Sequence, residues 1–264
     1  MKFGLELEWA DIDITKKLPE GFYYSNTEKT IVNSNGHANH PLGLYRFGGE
    51  INTPVADSPE ELIHKIEPIL EVFPERSVNY RESLHIHVSF PELMNLEFLK
   101  SSLIIFDRTI KNLILSVYPL PGMFESNEYE CNIQQLRTRW MKPWKRDLCL
   151  NSTSVDDFCE CMRKDKTGKV SFMIPNRYAV NFFSIKKHGT LEFRLIPATI
   201  SPVEIFHSMK FVEEICNMLI ENREPDYRDI CSRFPLPKPL SFSSDLEAGW
   251  VKTQADNKEY WGKK

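Results

Sequence analysis

Gly4-Leu5-Glu6-Leu7-Glu8-Trp9 sets two carboxylates two positions apart among apolar neighbours. In a strand, Glu6 and Glu8 share one face while Leu5, Leu7 and Trp9 share the other. Like charges at that spacing repel, and a bound cation is one physical reason to keep them together. A solvated sheet edge is the other reading of this segment. Leu84-His85-Ile86-His87-Val88 repeats the arrangement with two imidazoles, which ligate metals, donate to phosphate oxygens, or simply sit on a surface. Thr190-Leu191-Glu192-Phe193-Arg194-Leu195 repeats it again, with Glu192 and Arg194 on one face. That guanidinium suits a planar fork onto phosphate oxygens and equally suits an ion pair that braces the sheet. Leu44 to Glu50 adds a fourth carboxylate behind Gly48-Gly49, glycines that admit a closely approaching ligand or backbone, or serve only a turn. Arg177, Tyr178 and Asn181 open one more alternating stretch, with a further cation and an amide.

Each segment alone is ordinary. Together they describe a sheet whose ionisable face carries Glu6, Glu8, Glu50, His85, His87, Arg177, Glu192 and Arg194. Hard oxygen ligands for divalent metals and cations for phosphate charge are the requirements of phosphoryl chemistry. A purely structural sheet has little reason to collect this set.

The elements that must position these side chains are short period-two segments interleaved with three helices. Gly4 to Trp9, Leu84 to Phe90, Tyr178 to Ile185 and Thr190 to Ile196 alternate as strands, and Leu44 to Thr53 is a further candidate bent at its glycines. A first helix is expected from Ser58, with Pro59 at its first position, Glu61 as capping-box partner and Pro68 as a potential kink. A second runs from about Leu96 to Tyr118, and a third follows Ser201-Pro202 through Leu219. Each strand keeps one polar face, unlike the continuous apolar runs of a doubly wound parallel sheet. The expected fold is therefore α+β: an antiparallel sheet with helices packed on one face and a working site on the other. We expect a single domain over residues 1–264, with an insertion or cap at about 121–171 and an extended C-terminal tail at about 235–264. The aromatic and basic stretch from Arg137 to Arg146 is the lid candidate.

In order and spacing, Gly-Leu-Glu-Leu-Glu, Gly-Gly-Glu-Ile-Asn-Thr-Pro, His-Ile-His-Val, Arg-Tyr-x-x-x-Asn and Thr-Leu-Glu-Phe-Arg-Leu resemble the amidoligase family. That family groups with glutamine synthetase and glutamate–cysteine ligase among carboxylate–amine ligases, and its members occur in bacteria, fungi and bacteriophages. The resemblance spans Gly4 to about Leu195. It implies a glutamine synthetase-like catalytic sheet, ATP and magnesium or manganese. Carried over, Glu6, His85 and Glu192 hold the metal that bridges the nucleotide's phosphates, and Glu8 and Glu50 hold the metal nearer the substrate carboxylate. His87 contacts ATP phosphate, Arg194 and Arg177 stabilise the transferring phosphoryl group, and Asn181 lines the nucleotide site with Tyr178. The chain departs from glutamine synthetase at Ile51-Asn52-Thr53-Pro54, where that enzyme supplies another Glu. The implied reaction has two steps: ATP phosphorylates a carboxylate, then an amine displaces phosphate to form an amide.

The totals fit such a protein. Of 264 residues, 41% are apolar and 27% charged, ordinary for a folded domain. A net charge of −4 argues against a protein that coats nucleic acid. No apolar run is long enough to cross a bilayer, and the first residues carry no apolar signal segment. The six cysteines form no Cys-x-x-Cys pair and are read as reduced thiols, so a cytoplasmic setting is expected, which the resemblance implies is that of a bacterium or a phage-infected host. Expected partners are ATP and small-molecule or peptide carboxylates and amines, with a homo-oligomer open. Two other classes compete: a metal-dependent hydrolase using His85, His87 and the carboxylates, and a non-catalytic nucleotide-binding protein.

Overall fold

A computed structural model describes residues 1–10, 12–25, 48–78, 82–118, 140–170 and 178–238. Alternating side chains build its six strands: β1 (Lys2–Ala10), β2 (Tyr23–Tyr24), β3 (Gly48–Asn52), β4 (Ser83–Ser89), β5 (Val180–Asn181) and β6 (Leu191–Pro197). They form one sheet in the order β2-β3-β1-β4-β6-β5, with every pairing antiparallel. Among the described residues there are seven α-helices: α1 (Pro59–Val72), α2 (Leu96–Val117), α3 (Pro143–Leu150), α4 (Val155–Cys161), α5 (Phe183–His188), α6 (Pro202–Ile220) and α7 (Tyr227–Arg233). The expected α+β class is thereby met.

One sheet face is apolar. Phe3, Leu5, Leu7 and Trp9 of β1, Leu84, Ile86 and Val88 of β4, and Leu191, Phe193 and Leu195 of β6 are all buried in a single core with α1, α2 and α6. The helices start where their caps dictate. Ser58 Oγ accepts from the Glu61 amide at 3.1 Å, and Pro59 occupies the first helical position. The return half of the expected capping box lands one residue earlier, since Glu61 Oε2 accepts from the Asp57 amide at 2.7 Å. Pro68 is accommodated inside α1. Asn95 and Ser201 cap α2 and α6 in the same manner.

Three local expectations change. Tyr178 to Ile185 does not stay extended: only Val180 and Asn181 pair, and the chain then turns into α5. Asn181 Oδ1 accepts from the Phe183 amide, and Gly189, at φ 70°, closes α5 by donating to Ile185 O. Lys186, Lys187 and His188 fill its last turn, where cations complement the helix dipole. Second, Gly48 and Gly49 lie within β3 rather than in a turn. A Cβ on Gly49 would meet Ile14 Cγ2 at 2.7 Å, so the close approach is made by the chain's own loop. Third, the described part of the lid candidate belongs to the helical layer. Trp140 Nε1 and Arg146 Nη1 both donate to the Asp107 carboxylate of α2, and Lys145 Nζ donates to Met162 O. Residues 137–139, most of the expected insertion before them, and the tail from 239 lie outside the described residues.

Phe193 tests the core directly, because it is fully buried against Phe106 of α2. Phe193→Ala is expected to cost about 3–5 kcal/mol in urea denaturation. A loss below about 1 kcal/mol would mean that α2 does not pack on this face.

Candidate metal centre

The opposite face of the same strands is built from ranks of side chains set by register. Glu8 of β1 pairs with Glu50 of β3. Glu6 pairs with Asn52 on one side and His85 on the other. Gly4 pairs with His87, and His87 in turn pairs with Glu192, which pairs with Asn181. Between β4 and β6 the register slips: Leu84 faces Ile196 and Ile86 faces Phe193, so β6 spends one extra residue opposite His85. This bulge lies beside Arg194, where local twist re-aims side chains.

The ranks interlock. Glu6 Oε2 lies 2.6 Å from His85 Nδ1, and Glu6 Oε1 lies 3.1 Å from His87 Nε2. Glu8 Oε2 accepts from the Ser83 amide at 2.6 Å and the Ser83 hydroxyl at 2.8 Å. Glu192 Oε2 accepts from Asn181 Nδ2 at 2.6 Å, while Oε1 is ion-paired with Arg194. His87 Nδ1 is 2.9 Å from Thr190 Oγ1, which also contacts Ser184 Oγ at 3.0 Å. Asn52 Nδ2 reaches Glu50 Oε1 at 3.4 Å. Two three-residue groups bring one candidate ligand atom each to within 4.8 Å of the others: Glu6, His87 and Glu192, and Glu6, Glu50 and His85. Glu6 belongs to both. Glu8 belongs to neither.

None of these groups is a solvated surface charge. Glu8, Glu50, His85, Asn181 and Glu192 are buried, and Glu6 and His87 are mostly so. Among the described residues of this face, four carboxylates meet the Arg194 guanidinium and the imidazoles of His85 and His87, and the His188 ring of α5 stands edge-on to His87 at 5.8 Å. Burial works against an ionised Glu6, yet hydrogen bonds from His85 and His87 hold its carboxyl far below the ordinary range. Burial likewise opposes ionised Glu192, and the Arg194 guanidinium, then His87 and His85, more than offset it. For His85, burial and Arg194 disfavour the imidazolium, but Glu8 and Glu6 prevail and raise its pKa. Glu50 is left over: burial and the Glu6 charge push its carboxyl up to about 7.

Of the residues expected from sequence, Glu6, Glu8, Glu50, His85, His87, Asn181, Glu192 and Arg194 come together on this face. Arg177 lies outside the described residues. Tyr178 is buried, with Lys145 Nζ 5.9 Å from its ring centre. The grouping of ligands differs from the one the resemblance implies: His87 stands with Glu6 and Glu192, and His85 with Glu6 and Glu50. Ser83, Thr190 and Ser184 escaped sequence reasoning. Ser83 carried a weak signal, standing two positions before His85 on the same strand face. Neither family models, curated proteins nor solved structures give a match to the chain.

Carboxylates with imidazoles form a donor set that suits a divalent ion such as manganese, and magnesium where oxygen predominates. The arrangement gathers negative charge where water is largely excluded, which is the condition for binding a cation strongly. The folded chain keeps the Glu50 proton up to about pH 7, whereas the unfolded chain releases it near 4.5. Its stabilisation is therefore complete below that lower value and lost as pH rises through the upper one. In chelator-treated protein, wild type should lose about 3 kcal/mol relative to Glu50→Gln between about pH 4 and pH 8. Urea denaturation across that range measures it, and parallel profiles for the two proteins would show that Glu50 is not held as described.

Proposed function

We propose that the chain is an ATP- and divalent-metal-dependent amidoligase, which joins a small-molecule or peptide carboxylate to an amine through an acyl phosphate. The observation that carries this reading is the pair of three-residue ligand groups sharing Glu6 on one buried sheet face. The motif order from Glu6 to Arg194, with its resemblance to carboxylate–amine ligases, supports the choice of reaction. The residues fit the metals: Glu6, His87 and Glu192 would hold one ion, and Glu6, Glu50 and His85 a second. Bound there, magnesium or manganese supplies charge neutralisation for the phosphates and the attacking carboxylate.

The chain's own contribution is placement. Glu6 is clamped between two imidazoles, so its two oxygens point in fixed directions. Asn181 and Arg194 fix the Glu192 carboxylate from both oxygens. Arg194 has further N–H donors beyond that ion pair, and its guanidinium would meet charge that develops on a transferred phosphoryl group. Positioning of this kind brings the reacting carboxylate and phosphate together without later reorganisation. A cytoplasmic setting belongs to the same proposal.

One observation favours a second reading, a metal-dependent hydrolase. Arg194 is already engaged by Glu192, as a brace of a metal ligand would be. The two readings part on nucleotide. An ADP-release screen over panels of acids and amines, followed by mass spectrometry of products, should find an acid–amine pair that drives ADP formation and yields an amide. Glu6→Ala and His85→Ala should each abolish metal-dependent ATP binding in calorimetry while thermal melts show a folded chain. Arg194→Ala should lower turnover roughly hundredfold and affect ATP binding less. Full ATP affinity in the Glu6→Ala and His85→Ala variants would end the ligase proposal, and metal-dependent hydrolysis without nucleotide would install the hydrolase.

A further inference from the structure

Ser83 opens β4 and shares its ionisable face with His85 and His87. It is buried, as is the Glu8 carboxylate it meets. Three contacts define its place. Its amide and its hydroxyl both lie against Glu8 Oε2, at 2.6 and 2.8 Å, and its hydroxyl oxygen lies 2.8 Å from His85 Nε2. A hydroxyl has one proton, and an ionised carboxylate has none to give. The Ser83 proton therefore goes to Glu8, in a charge-assisted bond stronger than one to a neutral ring. The Ser83 oxygen is left as an acceptor, and the group placed to donate to it is His85 Nε2–H.

We propose that Ser83 is a positioning residue that holds a His85 ring proton on Nε2 and so keeps Nδ1, the nitrogen that faces Glu6, as the one a metal ion takes. The role of that nitrogen rests on the reading of this face as a metal centre. The consequence follows from distance. Nδ1 stands 2.6 Å from Glu6 Oε2, where a lone pair and a carboxylate oxygen repel unless a positive charge sits with them. Either a proton or a metal ion meets that condition. Without metal that charge is a proton on Nδ1, donated to Glu6; a metal ion takes its place while Ser83 holds the other ring proton on Nε2. Glu8 thereby acts through Ser83 rather than as a ligand: its other oxygen is 3.7 Å from His85 Nε2, and it stands in neither ligand group. A carboxylate that orients a ligating imidazole through its far nitrogen is a common support for a bound metal. Here one hydroxyl is interposed.

The full chain, labelled with nitrogen-15 histidine and loaded with zinc, gives the decisive spectrum of the His85 ring. Its single proton is expected on Nε2 in wild type and in Ser83→Thr, and distributed between both nitrogens in Ser83→Ala. Manganese titration of the same proteins by calorimetry is expected to show roughly a 10- to 100-fold loss of affinity in Ser83→Ala, with most of it restored in Ser83→Thr. A ring proton on Nδ1 in the zinc-loaded wild type overturns the assignment whatever the titration shows. So does a Ser83→Ala protein whose spectrum and manganese affinity match wild type. If wild type takes up neither ion while the metal-free Nε2 signal of His85 still differs between wild type and Ser83→Ala, the metal-centre reading falls and the Ser83 contact stands. If Ser83→Ala does not fold, the wild-type spectrum and the Ser83→Thr titration decide alone.

Discussion

Buried like charge is the constraint on which this structure turns. Glu6, Glu8, Glu50 and Glu192 project from neighbouring strands into one largely dry face. An uncompensated ion in such surroundings costs several kcal/mol, so each carboxylate needs its own support. Glu6 has two imidazoles, Glu8 has the Ser83 amide and hydroxyl, and Glu192 has an amide and a guanidinium. Glu50 has the Ser25 side chain and a long contact from Asn52, and burial and the Glu6 charge still hold its proton to about pH 7. The shortage of positive charge is thus concentrated at one end of the cluster, in the group that also contains Glu6 and His85.

What makes such a face possible is the rigidity of the other. The apolar residues that alternate with the ionisable ones lock the register, because a slip of one residue would bury carboxylates in the core and expose Leu5, Leu7 and Phe193. The register in turn decides chemistry: it sets Glu6 opposite His85, Glu8 opposite Glu50 and Glu192 opposite His87. The one irregularity, the extra residue of β6 across from His85, falls beside Arg194. The helical layer and the site are therefore coupled through the sheet even though α1, α2 and α6 pack on the far side of it.

Much of this was legible in the alternation of the sequence. Glu6 and Glu8 on one face of a strand, His85 and His87 on another and Glu192 beside Arg194 all follow from period two, and the caps at Ser58 and Ser201 follow from helix-start chemistry. Register was not legible, since nothing in a strand's own residues states which neighbour it meets. Hence the grouping of His87 with Glu192, and the distance of Glu8 from both ligand groups, appear only in the folded chain. Tyr178 to Ile185 misled because its pattern alternates for a few residues before the Phe182-Phe183 pair breaks it. Asn181 and Gly189 then provide a helix start and a left-handed stop. The two glycines before Glu50 pointed toward a ligand, another stretch of backbone or a turn, and the atom that demands Gly49 is a side-chain methyl of Ile14.

Residue type alone also failed to separate roles. Glu8 and Glu50 are directly paired, equally buried and chemically identical, yet their surroundings divide them. Two short donations from Ser83 occupy one oxygen of Glu8, so its charge is spent inside the protein. Glu50 takes a hydrogen bond from the Ser25 side chain, yet burial and the Glu6 charge still hold its proton, and it lies within ligand distance of Glu6 and His85. A cation entering this face would take the place of the Glu50 proton, because burial and the Glu6 charge oppose the ionised form there. The face is closed at His85 and Glu192 and open at Gly4, where an added Cβ would find nothing within 4 Å. Gly4 pairs with His87, so among the described residues that opening lies against the ligand group formed by Glu6, His87 and Glu192. The strand position without a side chain is thus as much a part of the site as those that carry charge.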